Sequence, residues 1–222
     1  MFTLTDLSMT KTASSPSIKL YWDVGSTNTY FAFKLLQPIM HRWGTKLVLH
    51  PFNIGHVFRE NSYVLMNEPP AKLANRKRDL MRWAEKYQLP FNVPAVFPIK
   101  TSRVLRGSIA MREWGLEHAF VEAVLDAYWE RGDHTIAQYE GLRPIVQKLG
   151  VDPAVFETAA ESDAVRQALV ESTNQGLERG VFGVPSIFVG DELYWGKDRM
   201  DFIEDELRRL ADTGRKDAVA TS

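Results

Sequence analysis

The chain has 222 residues, 45% of them apolar and 25% charged, with a formal net charge of -1. That length buries a sizeable core in one domain, or in one domain with a large insertion, and a near-neutral charge supplies no field to draw the chain to nucleic acid or a membrane surface. Cysteine is absent, which excludes disulfides, thiolate-held zinc and dithiol redox chemistry by the protein itself, so any sulfur chemistry needs sulfur brought by a cofactor.

No apolar run approaches the roughly 20 residues that span a bilayer. No charged start, apolar core and small-residue cleavage site marks a signal peptide, so cytoplasm is the default location. Residues 1–16 read as a loose polar leader. Ile18 to Asp23 is a compact β-favouring run and the best first strand. Gly25-Ser26-Thr27-Asn28 breaks it, with Thr27 or Asn28 as N-cap of a strongly apolar helix to about Trp43. Pro38 should kink that helix or loosen its second half. After Gly44, residues 46–52 read as a second strand, making a βαβ unit with a parallel crossover.

From about Pro70 to Gly180 almost everything reads as helix. Residues 71–88, 101–115, 116–131, 137–149, 153–160 and 161–179 show apolar spacing of three and four. Strand pattern returns at Ser186 to Val189, followed by Asp191-Glu192 as a tight turn and Leu193-Tyr194-Trp195 as the return strand of a hairpin. Residues 199–210 form an amphipathic helix, and 211–222 read as a frayed tail.

Three stretches carry chemistry. Gly183-Val184-Pro185-Ser186 opens a strand with a proline, which cannot donate to a sheet ladder and belongs at a strand's first residue. Ser26 stands between the carboxyl end of the first strand and the first helix. Ligands of open α/β sheets bind there, and a helix N-terminus stabilises an anion. Ser26 therefore fits two roles, donor to a bound anion or simple helix cap. In Tyr194-Trp195-Gly196-Lys197-Asp198-Arg199, a glycine and an Asp before the last helix fit a cap. They also fit a holder for a carboxylate and an ammonium group. His50, His56, His118 and His134 are scattered without ligand spacing, so no metal site is expected. Arg76-Lys77-Arg78 reads as a solvated helix face, and Trp83, Trp114 and Trp129 as core.

Several separated motifs then resemble one family. They are Asp23-x-x-Ser26-x-x-Thr29-Tyr30; Asn67-x-Pro69-Pro70; Asp79-Leu80-x-Arg82-Trp83-Ala84; Phe97-Pro98 with Arg106; Val181 to Ser186; Gly190-Asp191-Glu192; and Trp195 to Arg199. In this order they resemble the glutathione-dependent 2-hydroxychromene-2-carboxylate isomerases and their relatives, the kappa-class glutathione transferases. The resemblance implies an α/β thioredoxin-like fold of the DsbA type with a large all-helical insertion. Residues 17–56 and 181–210 would form the thioredoxin-like part and 57–180 the insertion. It also implies a cis Val184-Pro185 bond. The implied activity is isomerisation of a 2-hydroxychromene-2-carboxylate to a trans-o-hydroxybenzylidenepyruvate, with glutathione as cofactor, a small aromatic substrate and room for a homodimer.

Residue by residue, the resemblance implies that Ser26 faces the glutathione sulfur. It implies that the Val184 backbone pairs with the cysteinyl part, and that Trp195, Gly196, Lys197 and Asp198 hold the γ-glutamyl end. Asn67 would lie on the glutathione or substrate side of the cleft. Four positions depart from the family pattern. Thr27 replaces a proline, and Lys197 replaces Asn or Ser and adds a cation beside Asp198. Phe58 lies where the isomerases place a lysine, with Arg59 as a substitute, and Lys100 replaces an asparagine. The rival readings are a kappa-like transferase or peroxidase, which would consume glutathione, and a non-catalytic thiol or peptide binder. A disulfide oxidoreductase fails for want of a thiol.

Overall fold

The computed structural model describes residues 17–64 and 68–220, with side chains through Thr213. The expected leader, residues 1–16, and the candidate Asn67 lie outside the described residues.

Four strands form one mixed sheet in the order β2-β1-β3-β4. Strand β1 (Ile18–Trp22) runs parallel to β2 (Leu47–Pro51) and antiparallel to β3 (Ser186–Val189), which pairs antiparallel with β4 (Glu192–Trp195). The two ends of the chain thus meet in the middle of the sheet. Alternation in β1 sorts its side chains between faces. Ile18, Leu20 and Trp22 enter the main core, while Tyr21 joins Phe52, Ile54, Val57, Val181, Val184 and Phe188 in a smaller cluster. The hairpin turn is Gly190-Asp191 rather than the expected Asp191-Glu192. Gly190 takes φ +61, which a glycine adopts without strain, and Glu192 is released into β4.

Helix α1 (Thr27–Trp43) joins β1 to β2 and runs unbroken through Pro38, against the expected loosening. Proline removes one intrahelical bond, and the burial of Tyr30, Phe31, Phe33, Leu36 and Ile39 holds the helix on the sheet regardless. A short helix α2 (Ile54–Glu60), absent from the sequence reading, follows β2, with the Asn53 side chain accepting the His56 N–H at 3.1 Å.

The helical block then comprises α3 (Pro70–Tyr87), α4 (Ser102–Ala110), α5 (Glu117–Trp129), α6 (Tyr139–Lys148), α7 (Pro153–Glu161) and α8 (Asp163–Glu178). Met111–Trp114, expected as the end of the helix over 101–115, is a 3-10 turn after α4, and a second 3-10 turn, His134–Ala137, precedes α6. One hydrophobic cluster runs from the sheet and α1 through α4 to α8, so the block shares the core of the sheet. Lys34 on α1 meets Asp126 at 2.7 Å and Glu130 at 3.4 Å, joining α1 to α5 at the rim. Helix α9 (Met200–Ala220) continues well past the expected end at residue 210 and replaces most of the expected frayed tail. Ala211, Arg215, Lys216 and Ala218 are good helix formers, which explains the extension. None of the described helices is long and apolar enough to cross a membrane.

Candidate active site

β1 ends at Trp22, and the next four residues turn the chain into α1. The Ser26 N–H donates to the Asp23 carbonyl at 3.0 Å and closes the turn. Ser26 itself is the N-cap of α1, not Thr27 or Asn28. Its extended backbone suits that position, and its Oγ accepts the Thr29 N–H at 3.3 Å. The same hydroxyl donates to the Val184 carbonyl at 3.0 Å, across 158 positions of sequence. The Val184-Pro185 bond is cis, as expected, and Phe97-Pro98 is cis as well. The first turn of α1 carries no acidic residue, so the positive end of its dipole is uncompensated. An anion placed at Ser26 Oγ would meet a hydroxyl donor and that dipole together.

The segment after β4 closes the other side. The Gly196 N–H donates to the Pro185 carbonyl at 3.0 Å. Gly196 has φ +105, and a Cβ there would lie 2.8 Å from Asp198 Oδ1, so glycine is required. The Trp195 ring is half exposed and lies over Gly183, where a Cβ would come within 2.8 Å of its Nε1. Phe182 flanks it at 5.2 Å between ring centroids. Ser26, Val184, Trp195 and Gly196 therefore converge on the loop around Pro185.

Lys197, expected to add a cation beside Asp198, and Asp198 itself meet different nearest partners. The Lys197 side chain is only 8% exposed, and its Nζ sits 4.3 Å over the ring of Trp83 on α3. Burial holds its pKa below the ordinary lysine value. Asp198 is exposed and meets Arg199 at 2.9 Å. A flat aromatic face attracts the ammonium in a dry setting, and the exposed guanidinium takes the carboxylate. The Trp83 Nε1 donates to Asp79 at 3.2 Å, which fixes the ring. Trp83 is thus a wall of the site as well as a core residue.

The family's other positions fall differently. Arg106 is bonded to Glu161, which also accepts the Tyr139 hydroxyl at 2.6 Å, in a junction of α4, α6 and α7. Phe58 packs on Tyr63 and the smaller core cluster, so no cation stands there. Arg59 is exposed and its Nη1 lies 3.7 Å from where a Gly55 Cβ would be. Lys100 is exposed at the start of α4.

Two groups behind Ser26 were missed. Asp23 is fully buried, and Thr101 reaches it at 3.1 Å. From α5, the Trp129 Nε1 donates to the Val24 carbonyl at 2.8 Å. An acidic residue ending an apolar strand was the available signal, since such a residue seldom goes inside without partners.

A family model described as the DSBA-like thioredoxin domain matches residues 17–208. A 2-hydroxychromene-2-carboxylate isomerase from Pseudomonas sp. (strain C18) is 34% identical over 196 residues, covering 84% of this chain and 88% of that protein. Glutathione S-transferase kappa 1 of Caenorhabditis elegans is 26% identical over 213 residues, covering 87% and 92%. Among solved structures, a 2-hydroxychromene-2-carboxylate isomerase superposes with a TM-score of 0.76 at 29% identity, over 92% of this chain and 99% of that one. The chain belongs to the DSBA-like thioredoxin family and, within it, to the family of the 2-hydroxychromene-2-carboxylate isomerases.

Proposed function

We propose that the protein is a glutathione-dependent isomerase of 2-hydroxychromene-2-carboxylate-type substrates, yielding trans-o-hydroxybenzylidenepyruvates. The observation that carries this reading is the junction of Ser26 Oγ with the Val184 carbonyl, at the start of a helix with no acid in its first turn. The residues present fit glutathione. The Val184 N–H makes no hydrogen bond to another described residue, and neither do the N–H groups of Lys197 and Asp198. Those open donors suit the cysteinyl carbonyl and the γ-glutamyl carboxylate. The exposed Asp198 carboxylate suits the ammonium group beside it. Bound there, glutathione supplies a nucleophilic thiolate and is returned unchanged.

The chain's own part is to hold that sulfur as an anion. With glutathione bound, the Ser26 hydroxyl, which here donates to the Val184 carbonyl, would be the donor to the sulfur, and the Val184 carbonyl would be open to the cysteinyl N–H. A hydroxyl donor and the helix dipole both favour the charged form, which brings the thiol below the roughly 8.5 of a free thiol. Trp195 over Gly183 and Trp83 beside Lys197 give the site aromatic flanks.

Calorimetric titration with reduced glutathione, followed by turnover of a panel of chromene carboxylates and electrophiles, tests the reading. Saturable binding and isomerisation with glutathione conserved are expected. Turnover that consumes glutathione would make the protein a kappa-like transferase, and no binding would sink both.

A further inference from the structure

Asp23 is fully buried at the end of β1, and the reaction proposed above gives it no part. Its carboxylate collects three donors from three directions. The Gly25 N–H meets Oδ1 at 2.9 Å, while the Ile54 N–H at 3.3 Å and the Thr101 hydroxyl at 3.1 Å meet Oδ2. Gly25 belongs to the turn that delivers Ser26, and Ile54 opens α2. Thr101 is the N-cap of α4 but makes no capping bond to its own helix. The hydroxyl that would cap α4 is committed to Asp23 instead.

The turn has no slack. A Cβ at Gly25 would lie 3.1 Å from Thr101 Cγ2 and 3.3 Å from Asp23 Oδ1, so the Ser26 turn sits directly on the start of α4. The groups that reach Asp23 from α2 and α4 are uncharged. From α5 it is faced by Tyr128, whose hydroxyl donates to the Val96 carbonyl at 3.0 Å. We propose that Asp23 is a positioning residue for Ser26: its carboxylate ties the Ser26 turn to the starts of α2 and α4, and gain of a proton releases that tie.

The chemistry of the donors supports this. Two of the three are backbone N–H groups, which cannot turn round to accept. A proton on either oxygen therefore competes with a fixed donor, and only Thr101 can adapt. Burial without a paired cation also raises the Asp23 carboxyl to about 6, within the range where an enzyme works. The inference rests on the reading of Ser26 as donor to the thiolate.

The test uses the full chain with glutathione and an isomerisable chromene carboxylate. Asp23→Asn keeps the size, loses the charge and sets an amide NH2 against a backbone N–H. Its kcat should fall by about tenfold to a hundredfold, as expected for a displaced catalytic group, with glutathione affinity within about threefold. Thr101→Val removes one donor from the carboxylate, so the acid limb of kcat should move to higher pH. In amide NMR spectra of the parent, Gly25 and Ser26 should titrate together with a midpoint near 6 and follow the Thr101→Val shift upward. Flat Gly25 and Ser26 amides between about pH 5 and 7, or an acid limb unmoved by Thr101→Val, would overturn the proposal. Thiolate absorbance of bound glutathione, recorded in parallel, separates the two failures. A thiol that titrates at its free value removes the reading of Ser26, whereas the amide midpoint judges the Asp23 tie by itself.

Discussion

Ser26→Ala removes two hydrogen bonds at once, and a second substitution at the same position separates them. The hydroxyl accepts the Thr29 N–H at 3.3 Å and donates to the Val184 carbonyl at 3.0 Å. Loss of an N-cap costs about 1 kcal/mol. Val184 is buried, so its carbonyl loses a donor that water replaces poorly, for about 1 kcal/mol more. Together about 2 kcal/mol should lower Tm by roughly 4–8 °C in a chain of this size. Ser26→Asp keeps an acceptor for the cap and adds a negative charge at the helix start, both favourable to α1. It cannot donate, and its charge opposes a second anion. Its stability should therefore recover to within about 1 kcal/mol of the parent, while the thiol of bound glutathione titrates above its free value. Ser26→Thr should preserve both properties. Urea unfolding followed by tryptophan fluorescence and thiolate absorbance titration read the two quantities independently. Equal destabilisation by Ala and Asp would refute the cap, and a low thiol pKa in Ser26→Asp would refute the donor.

Three further outcomes follow from the same geometry. The Asp23 carboxyl lies at about 6 in the fold against 3.8 for the ordinary group. The native state therefore binds more protons in between, and this contribution is fully present below about pH 4 and lost as pH rises through 6. At about 1.4 kcal/mol per unit the loss is about 3 kcal/mol, and Asp23→Asn should remove that slope from urea titrations at pH 4 to 8. A Lys197→Met protein should keep its stability and bind glutathione within about threefold of the parent, because the ammonium lies over Trp83, whereas Asp198→Ala should weaken binding about tenfold by calorimetry. In an exposed helix Gly→Ala gains about 1 kcal/mol, but Gly176→Ala on α8 should lose about 1–3 kcal/mol. Its Cβ would meet the Phe52 ring at 2.8 Å and the Tyr21 ring at 3.0 Å, and neither buried ring can yield.

What was legible in the sequence is what local chemistry decides. The strands β1, β2 and β3 are short apolar runs closed by Gly or Pro, and α1 and the helices of the block repeat at three and four. Helix α2 escaped because seven residues hold too little periodicity, although Asn53 before it was a cap signal. Ser26, Thr27 and Asn28 were all open as caps because Ser, Thr and Asn suit the role alike, and only backbone geometry chooses Ser26. The resemblance assigned Ser26 and Val184 to the same cysteine of glutathione, but the bond between them was not foreseen, since no local pattern encodes a bond across 158 positions. The direction of Lys197 depends on Trp83, a residue of α3 that no reading local to Lys197 includes. Asp23 reads as the last residue of the first strand, and its burial arises only when α2 and α4 close over it.

The same geometry decides whether Ser26 attacks or assists. A serine hydroxyl becomes a nucleophile only when a base within hydrogen-bond reach takes its proton. Among the described residues, the hydroxyl bonds only to the Thr29 N–H and the Val184 carbonyl, and neither can accept and keep a proton. Asp23 faces Gly25, Ile54 and Thr101, so its oxygens are spent elsewhere. His50 is stacked on Tyr21 and lowered to about 4 by burial, too weak a base near neutral pH. Ser26 is therefore a donor that waits for a nucleophile to arrive, which in a chain without cysteine must come with the cofactor. A fluorophosphonate probe, which labels activated serines, should leave Ser26 unmodified with and without glutathione. Stoichiometric labelling at Ser26 by peptide mass spectrometry would require a base that this arrangement lacks, and would overturn the donor assignment.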